Sequence, residues 1–252
     1  SIYKTFNAGT VNEKTALNGL NLHLNEGDFV TVIGGNGAGK STMLNAVAGT
    51  WFVDEGKITI DDIDVTKLPE HKRAKYLGRV FQDPMTGTAA TMQIEENMAL
   101  AARRGMTRSL KAGITAKERE FYRGQLKILG LGLEDRLTSK VGLLSGGQRQ
   151  ALTLLMATLK KPRLLLLDEH TAALDPKTAD IIMELTGKIV AEKHLTTIMV
   201  THNLRFAVEY GNRLLMMHQG HAVMDKKGEE KANTKVDDIL DMFNAISIEC
   251  GN

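Results

Sequence analysis

The sequence predicts an α/β fold in which a mainly parallel, buried sheet is interrupted by a helical lobe. Three observations carry that prediction. Residues 29–33, Phe-Val-Thr-Val-Ile, form a short β-rich apolar run that stops at a glycine cluster. Residues 164–167 are four consecutive leucines between Pro162 and two acids, and a strand apolar on both faces belongs in a parallel sheet. Between these strand-rich ends, residues 94–159 read as helix, with no convincing strand.

The remaining elements follow in chain order. Residues 41–49 have helical character, with Met43, Leu44 and Val47 as the apolar face. Residues 57–60 read as a strand turned by Asp61-Asp62, and 196–200 repeat the buried-strand pattern before Thr201-His202-Asn203. Near the end, Val236, Ile239, Leu240, Phe243 and Ile246 recur at helical spacing, and Thr234 with Asp237 predicts a capping box. No internal repeat, low-complexity tract or long linker divides the chain.

Composition narrows the class. The 252 residues are 42% hydrophobic and 25% charged, an ordinary globular balance, and a net charge of +2 argues neither for nor against nucleic acid. No apolar run approaches the roughly 18 residues needed to span a bilayer. No charged-then-apolar leader opens the sequence, so the protein is expected to stay where it is made and to reach a membrane only through a partner chain. One cysteine, Cys250, allows no internal disulfide.

The chemistry begins at residues 34–41, Gly-Gly-Asn-Gly-Ala-Gly-Lys-Ser, which fit the phosphate-loop pattern. Glycines let successive backbone N–H groups turn inward around an anion, and the helix that follows aims its positive end at it. Lys40 supplies a mobile charge for the β- and γ-phosphates, while the Ser41 hydroxyl ligates Mg²⁺. A chance glycine-rich turn is the alternative, but this one follows a strand and opens a helix, as phosphate binding requires. Asp168 ends the leucine strand, placed to hold the Mg²⁺ shell, and Glu169 is placed to polarise the attacking water. Two solvated acids at a strand end would be the plainer reading without the phosphate loop.

Leu144-Ser145-Gly146-Gly147-Gln148, with the flanking 148–150 run Gln-Arg-Gln, is a second anion nest ahead of an apolar helix. It resembles the signature sequence of ATP-binding-cassette (ABC) ATPases, and other family elements match in order over essentially the whole chain. The resemblance implies a phosphate-loop NTPase core with a mainly parallel sheet, an N-terminal antiparallel β subdomain and an inserted helical subdomain. The boundaries expected are 1–85 with 155–225 for the core, 86–154 for the helical signature subdomain and 226–252 for a C-terminal helical tail. It further implies ATP hydrolysis with Mg²⁺, and a head-to-tail dimer in which the signature of one subunit covers the ATP held by the other.

Within that resemblance, Gly34, Asn36, Gly37, Ala38, Gly39, Lys40, Ser41 and Thr42 contact ATP, and Ser145, Gly147 and Asp175 belong to the neighbour's nucleotide. Gln82, after Arg79-Val80-Phe81, looks like the Q-loop glutamine at the metal and γ-phosphate. Residues 173–175, Ala-Leu-Asp, look like the D-loop, and His202 resembles the switch histidine. Phe6 resembles the aromatic that stacks on adenine; Tyr3 is its rival, and either would otherwise be core packing. The sequence departs from the family at Gly35 and His170, where proline is usual, and at Ala172, where serine is common.

Roughly sixty residues separate Gln82 from Ser145 without heptads, which excludes the long coiled coils of DNA-associated members. A lone cassette of this length resembles the separate ATPase chains of bacterial transporters. The residues at 78–84 and 168–175 are similar to a subgroup serving uptake of amino-acid-like solutes. The expected setting is cytoplasmic, on the inner face of the cell membrane. The expected partners are a second ABC ATPase, transmembrane permease subunits and an extracytoplasmic solute-binding protein, with no nucleic acid. An export or lipoprotein-release system and a soluble non-transport ABC ATPase are the alternatives. Residues 83–104 are expected to receive the permease, with Met85, Met92 and Met98 either there or in the core. The basic residues Arg103, Arg104, Arg108, Lys111, Lys117, Arg119, Arg123 and Lys127, opposed by Glu118 and Glu120, read as a solvated helix face or as a surface near anionic lipid.

Overall fold

The structure is a computed structural model, and it describes residues 1–106 and 113–249. Two antiparallel strands, β1 (Ile2–Phe6) and β2 (Lys14–Leu20), pair with the short β4 (Glu55–Gly56) in the order β2-β1-β4. Between them in sequence lie β3 (Phe29–Gly34) and α1 (Lys40–Ala48). A hairpin of β5 (Thr59–Ile60) and β6 (Ile63–Asp64) follows, then α2 (Glu70–Arg73) and β7 (Leu77–Val80). The strand expected over 57–60 thus forms only in its second half, and Asp61 makes the turn with a left-handed φ of 52°.

A helical stretch comes next: α3 (Ile94–Ala102), α4 (Ala116–Lys127) and α5 (Gly146–Thr158). The core returns with β8 (Leu164–Asp168), α6 (Pro176–Lys193), β9 (Thr197–Val200), α7 (Leu204–Glu209), β10 (Arg213–His218) and β11 (His221–Lys227). The chain ends in α8 (Gly228–Ala232) and α9 (Val236–Glu249). The main sheet has six strands in the order β11-β10-β3-β9-β8-β7, parallel except for the β10–β11 pair.

The leucine strand explains why this sheet is buried on both faces. Leu165 and Leu167 enter an apolar cluster with α3, α4, α5 and α6, while Leu166 joins Val32, Ile198 and Val200 on the other face beside α1. Side chains alternate along a strand, so an all-leucine run needs cover on each side. A buried arginine braces the α1 side: Arg73 donates to the carbonyls of Leu68, Ala46, Val47 and Thr66 at 2.6–3.0 Å. Those of Ala46 and Val47 lie in the last turn of α1, where a cation is favoured.

Several expectations change on contact with the structure. The Thr234–Asp237 box does not form. The Thr234 hydroxyl donates back to the Glu230 carbonyl, and the next pair along takes over, with the Lys235 N–H donating to Asp238. On α9, Ile239 is buried but Leu240 is exposed, and Met242 packs inward instead. Met98 is a core residue, whereas Met85 is exposed.

The basic stretch is not opposed by two glutamates alone. Buried Glu95 grips Arg119 with two bonds of 2.6 and 2.8 Å, and Arg103 and Arg123 pair with Glu118 and Glu120. Arg104 donates to the carbonyls of Ala157 and Lys160, so it braces α5 instead of facing outward. Arg108 and Lys111 lie outside the described residues, as does Cys250.

Candidate functional site

Four neighbouring parallel strands deliver the site from their carboxyl ends, where ligands bind in open α/β sheets. β3 runs into the glycine loop, β9 into Thr201 and His202, β8 into Asp168 and Glu169, and β7 into Phe81 and Gln82. The loop itself requires glycine. At Gly39, φ is 99° and a side chain would meet the Ala16 carbonyl oxygen at 2.4 Å; at Gly34 it would meet that of Met217 at 2.3 Å.

The resulting open cleft, about 230 Å³, is lined by Lys14, Ala16, residues 36–42, Glu169 and His202. Its floor is the N-terminus of α1, which has no side-chain cap and no acidic residue in its first turn. Unsatisfied N–H groups and the helix dipole therefore point at the cleft. Lys40 is buried and donates to the carbonyls of Gly34 at 2.6 Å and Gly35 at 3.0 Å. Burial lowers its pKa, and the nearby carboxylates of Glu169 and Asp168 push it back up. A cation resting on its own loop's carbonyls, over an uncapped helix, is a receptor for a polyphosphate.

On the opposite wall, the Glu169 carboxylate lies 2.7 Å from His202 Nε2. Glu169 is a non-glycine residue at φ 48°, held by its N–H donating to the Val200 carbonyl at 2.9 Å. Such left-handed strain persists only where surroundings enforce it. Asp168 sits behind, its pKa raised by burial and held down by Arg79, whose guanidinium stands 3.8 Å away. Arg79 also donates to Asn45 of α1 at 2.7 Å. Arg79, like Lys14 in the cleft, was missed as a site residue by sequence reasoning: the pairs 79–168 and 79–45 have no local pattern, and only the charge at a strand end hints at them.

No cluster of three or more His, Cys, Asp or Glu able to hold a metal occurs among the described residues. Ser41 lines the cleft, Asp168 lies behind Glu169, and Gln82 follows β7 exposed to solvent.

Other expected residues stand apart from the cleft. Phe6 ends β1 opposite Lys14 and packs edge-on against Trp51, with ring centroids 5.5 Å apart. Tyr3 points its hydroxyl at Gly19. Ser145 and Asp175 are the N-caps of α5 and α6, accepting from the N–H groups of Gln148 and Thr178. Gly147 is pressed against Thr178, where a side chain would lie 2.4 Å from a methyl group. Within one chain, then, Ser145, Gly147 and Asp175 do not line the phosphate cleft.

Comparison with known proteins agrees with this geometry. Residues 17–172 match the family described as ABC transporter. The chain is 47% identical over 229 residues to the tyrosine transport ATP-binding protein of Clostridioides difficile strain R20291, covering 91% of each. It is 30% identical to the methionine import ATP-binding protein MetN of Streptococcus agalactiae, over 84% of this chain and 58% of that one. It is 34% identical to the spermidine/putrescine import ATP-binding protein PotA of Shigella flexneri, over 91% and 60%. It therefore spans nearly all of the first relative but under two thirds of the other two.

Among solved structures, the ATP-binding cassette MJ0796, a dimer in a post-hydrolysis state bound to ADP and Pi, superposes with a TM-score of 0.75 at 31% identity, over 90% and 96% of the two chains. The ADP conformation of the cassette MJ1267 gives 0.78 at 26% identity, over 100% and 96%. With the phosphate cleft, the acid–histidine wall and these relatives in agreement, the chain belongs to the ABC transporter family and is an ATPase.

Proposed function

We propose that this chain powers a membrane importer of an amino-acid-like solute, tyrosine being the leading candidate, by pairing head-to-tail with a second cassette around two Mg-ATP molecules. The observation that carries the pairing is the separation just described: the phosphate loop lines the cleft, while the second glycine-rich turn, at Ser145 and Gly147, lies outside it. The import reading is supported by the 47% identity with a tyrosine transport ATP-binding protein, over 91% of both chains. No helix among the described residues is long and apolar enough to cross a membrane, so permease subunits would supply the path, with an extracytoplasmic binding protein delivering the solute. The division of labour proposed is a nucleotide-binding core (1–85 and 155–225), a helical lobe (86–154) and a tail (226–252), with α5 running across the join.

In this account the 34–42 loop and Lys40 hold the phosphates, and Ser41, Asp168 and Gln82 would hold Mg²⁺, which would supply charge neutralisation to the phosphates. Glu169, fixed by His202, takes the proton of the attacking water. Phe6 supports the base. ATP favours the paired state because only that state adds the Ser145 and Gly147 contacts. Replacing Glu169→Gln keeps the shape and removes the base, so ATP turnover should fall about 10²–10⁴-fold while nucleotide binding persists. Wild-type turnover in that variant would overturn the assignment. Co-purification of a permease with the full chain, and ATP-dependent tyrosine uptake by vesicles containing both, test the transport reading.

A further inference from the structure

Gln150 lies one turn into α5 and is completely buried. Its side-chain nitrogen donates two hydrogen bonds, to the Phe81 carbonyl at 3.0 Å and to the His170 carbonyl at 2.7 Å. The two acceptors follow different strands. Phe81 immediately precedes Gln82 beyond β7, and His170 immediately follows Glu169 beyond β8. Both N–H groups of one amide are thus spent on the two segments that carry this chain's own γ-phosphate machinery. Turning the amide over would set its oxygen against two carbonyl oxygens, so the orientation is fixed by its partners. The oxygen itself is buried without a partner, an uncompensated desolvation. A methionine would fill the same space without that cost, so packing does not account for an amide here.

His170 completes the arrangement. Its carbonyl is held by α5 through Gln150, and its ring meets the Thr186 hydroxyl of α6 at 3.0 Å. That hydroxyl donates to the Ile182 carbonyl, so the imidazole nitrogen is the donor toward it. Burial holds the ring neutral, with its pKa lowered to about 4. Glu169, one residue earlier, is gripped between the Val200 carbonyl and this clamp. A proline at 170 would have no ring nitrogen to reach Thr186.

We infer that Gln150 is a positioning residue that couples the two ATP sites of the paired molecule. The inference rests on the proposed head-to-tail pairing. There, Ser145 and Gly147 at the start of α5 meet the neighbour's nucleotide, while Gln82 and Glu169 serve the chain's own. A single rigid helical turn joins the first contact to the second, and Gln150 is the bracket at its end. Engagement of the signature then registers at Gln82 and Glu169, and hydrolysis at the two sites becomes cooperative.

The test is ATP hydrolysis by the full chain as a function of Mg-ATP concentration, with nucleotide binding measured separately by a fluorescent ATP analogue. Wild type should give a Hill coefficient above 1. Gln150→Met should bring it to about 1 and lower kcat on the order of 10-fold, within the range of coupling between sites, with nucleotide affinity unchanged. Gln150→Asn, polar but too short to reach both carbonyls, should show the same loss and covers the case in which the methionine variant does not fold. Thr153→Val is the control for mere disturbance of α5: among the described residues its buried hydroxyl bonds within the helix, to the Arg149 carbonyl, and kcat and cooperativity should stay at wild type. Wild-type kcat and cooperativity in either Gln150 variant would overturn the inference. A non-cooperative wild type whose Glu169→Gln variant is inactive would overturn the coupling and leave the catalytic assignment standing. Turnover surviving in Glu169→Gln would instead overturn the proposed function.

Discussion

Two helices of this protein start at glycine-containing turns suited to anions, and they satisfy their first N–H groups in opposite ways. α1 begins after Gly39 with no side-chain cap and no acid in its first turn. α5 begins after Ser145 with a closed capping box, the serine oxygen accepting from the Gln148 N–H at 3.2 Å and the Gln148 side chain accepting from the Ser145 N–H at 3.1 Å. The first helix starts with no side-chain partner for its N–H groups, while the second supplies its own partner for one of them, at Gln148. The phosphate loop therefore has the character of an open receptor, and the signature that of a preformed turn. The same contrast extends outward: the cleft contains a strained glutamate and a lysine resting on carbonyls of its own loop, whereas the lobe around α4 has a capping box of its own at Thr115 and the bidentate Arg119–Glu95 pair.

The largest expected effect on binding sharpens that contrast at α1. Lys40→Ala should weaken ATP binding by about 10–100-fold, the worth of a hydrogen bond to a charged group, without lowering thermal stability, because the lysine is already desolvated. Isothermal titration together with thermal unfolding checks both halves, and tight binding by the variant would break the comparison.

Next in size is the lobe. Arg119→Met leaves the buried Glu95 carboxylate without its partner and should cost about 1–3 kcal/mol of stability, read by chemical denaturation. The Arg119 bonds hold the Glu95 carboxyl below its ordinary pKa. Their contribution is therefore full above the ordinary glutamate range and is lost as pH falls through the depressed value. The gap between wild type and variant should close in acid; a gap that widened there would contradict the pairing.

The smallest effect lies at the signature cap. Ser145→Ala should cost about 1 kcal/mol of stability through the lost cap and should leave monomer nucleotide affinity at the Lys40 cleft unchanged. A variant as stable as wild type would show that α5 does not depend on its own serine.

Much of this was legible before the structure. The phosphate loop, the leucine strand with its two acids and the signature are local runs, in which neighbours in sequence are neighbours in space and backbone geometry dictates residue type. The sheet could be read for the same reason, since an unbroken apolar strand requires cover on both faces. What stayed hidden depends on side chains far apart in the chain. Gln150 against Phe81 and His170, Arg79 against Asp168, and Glu95 against Arg119 leave no periodic trace. The slip from Thr234–Asp237 to Lys235–Asp238 has a different cause, because the hydroxyl was claimed by α8, a short helix the pattern did not announce. His170 has a physical role only once Thr186 and Gln150 are seen around it.

The central claim, that two chains complete each other's ATP sites, is tested most directly by the size of Glu169→Gln in solution. Light scattering behind a size-exclusion column, run with and without saturating Mg-ATP, should show a dimer with nucleotide and a monomer without it. A monomer under both conditions would contradict the claim.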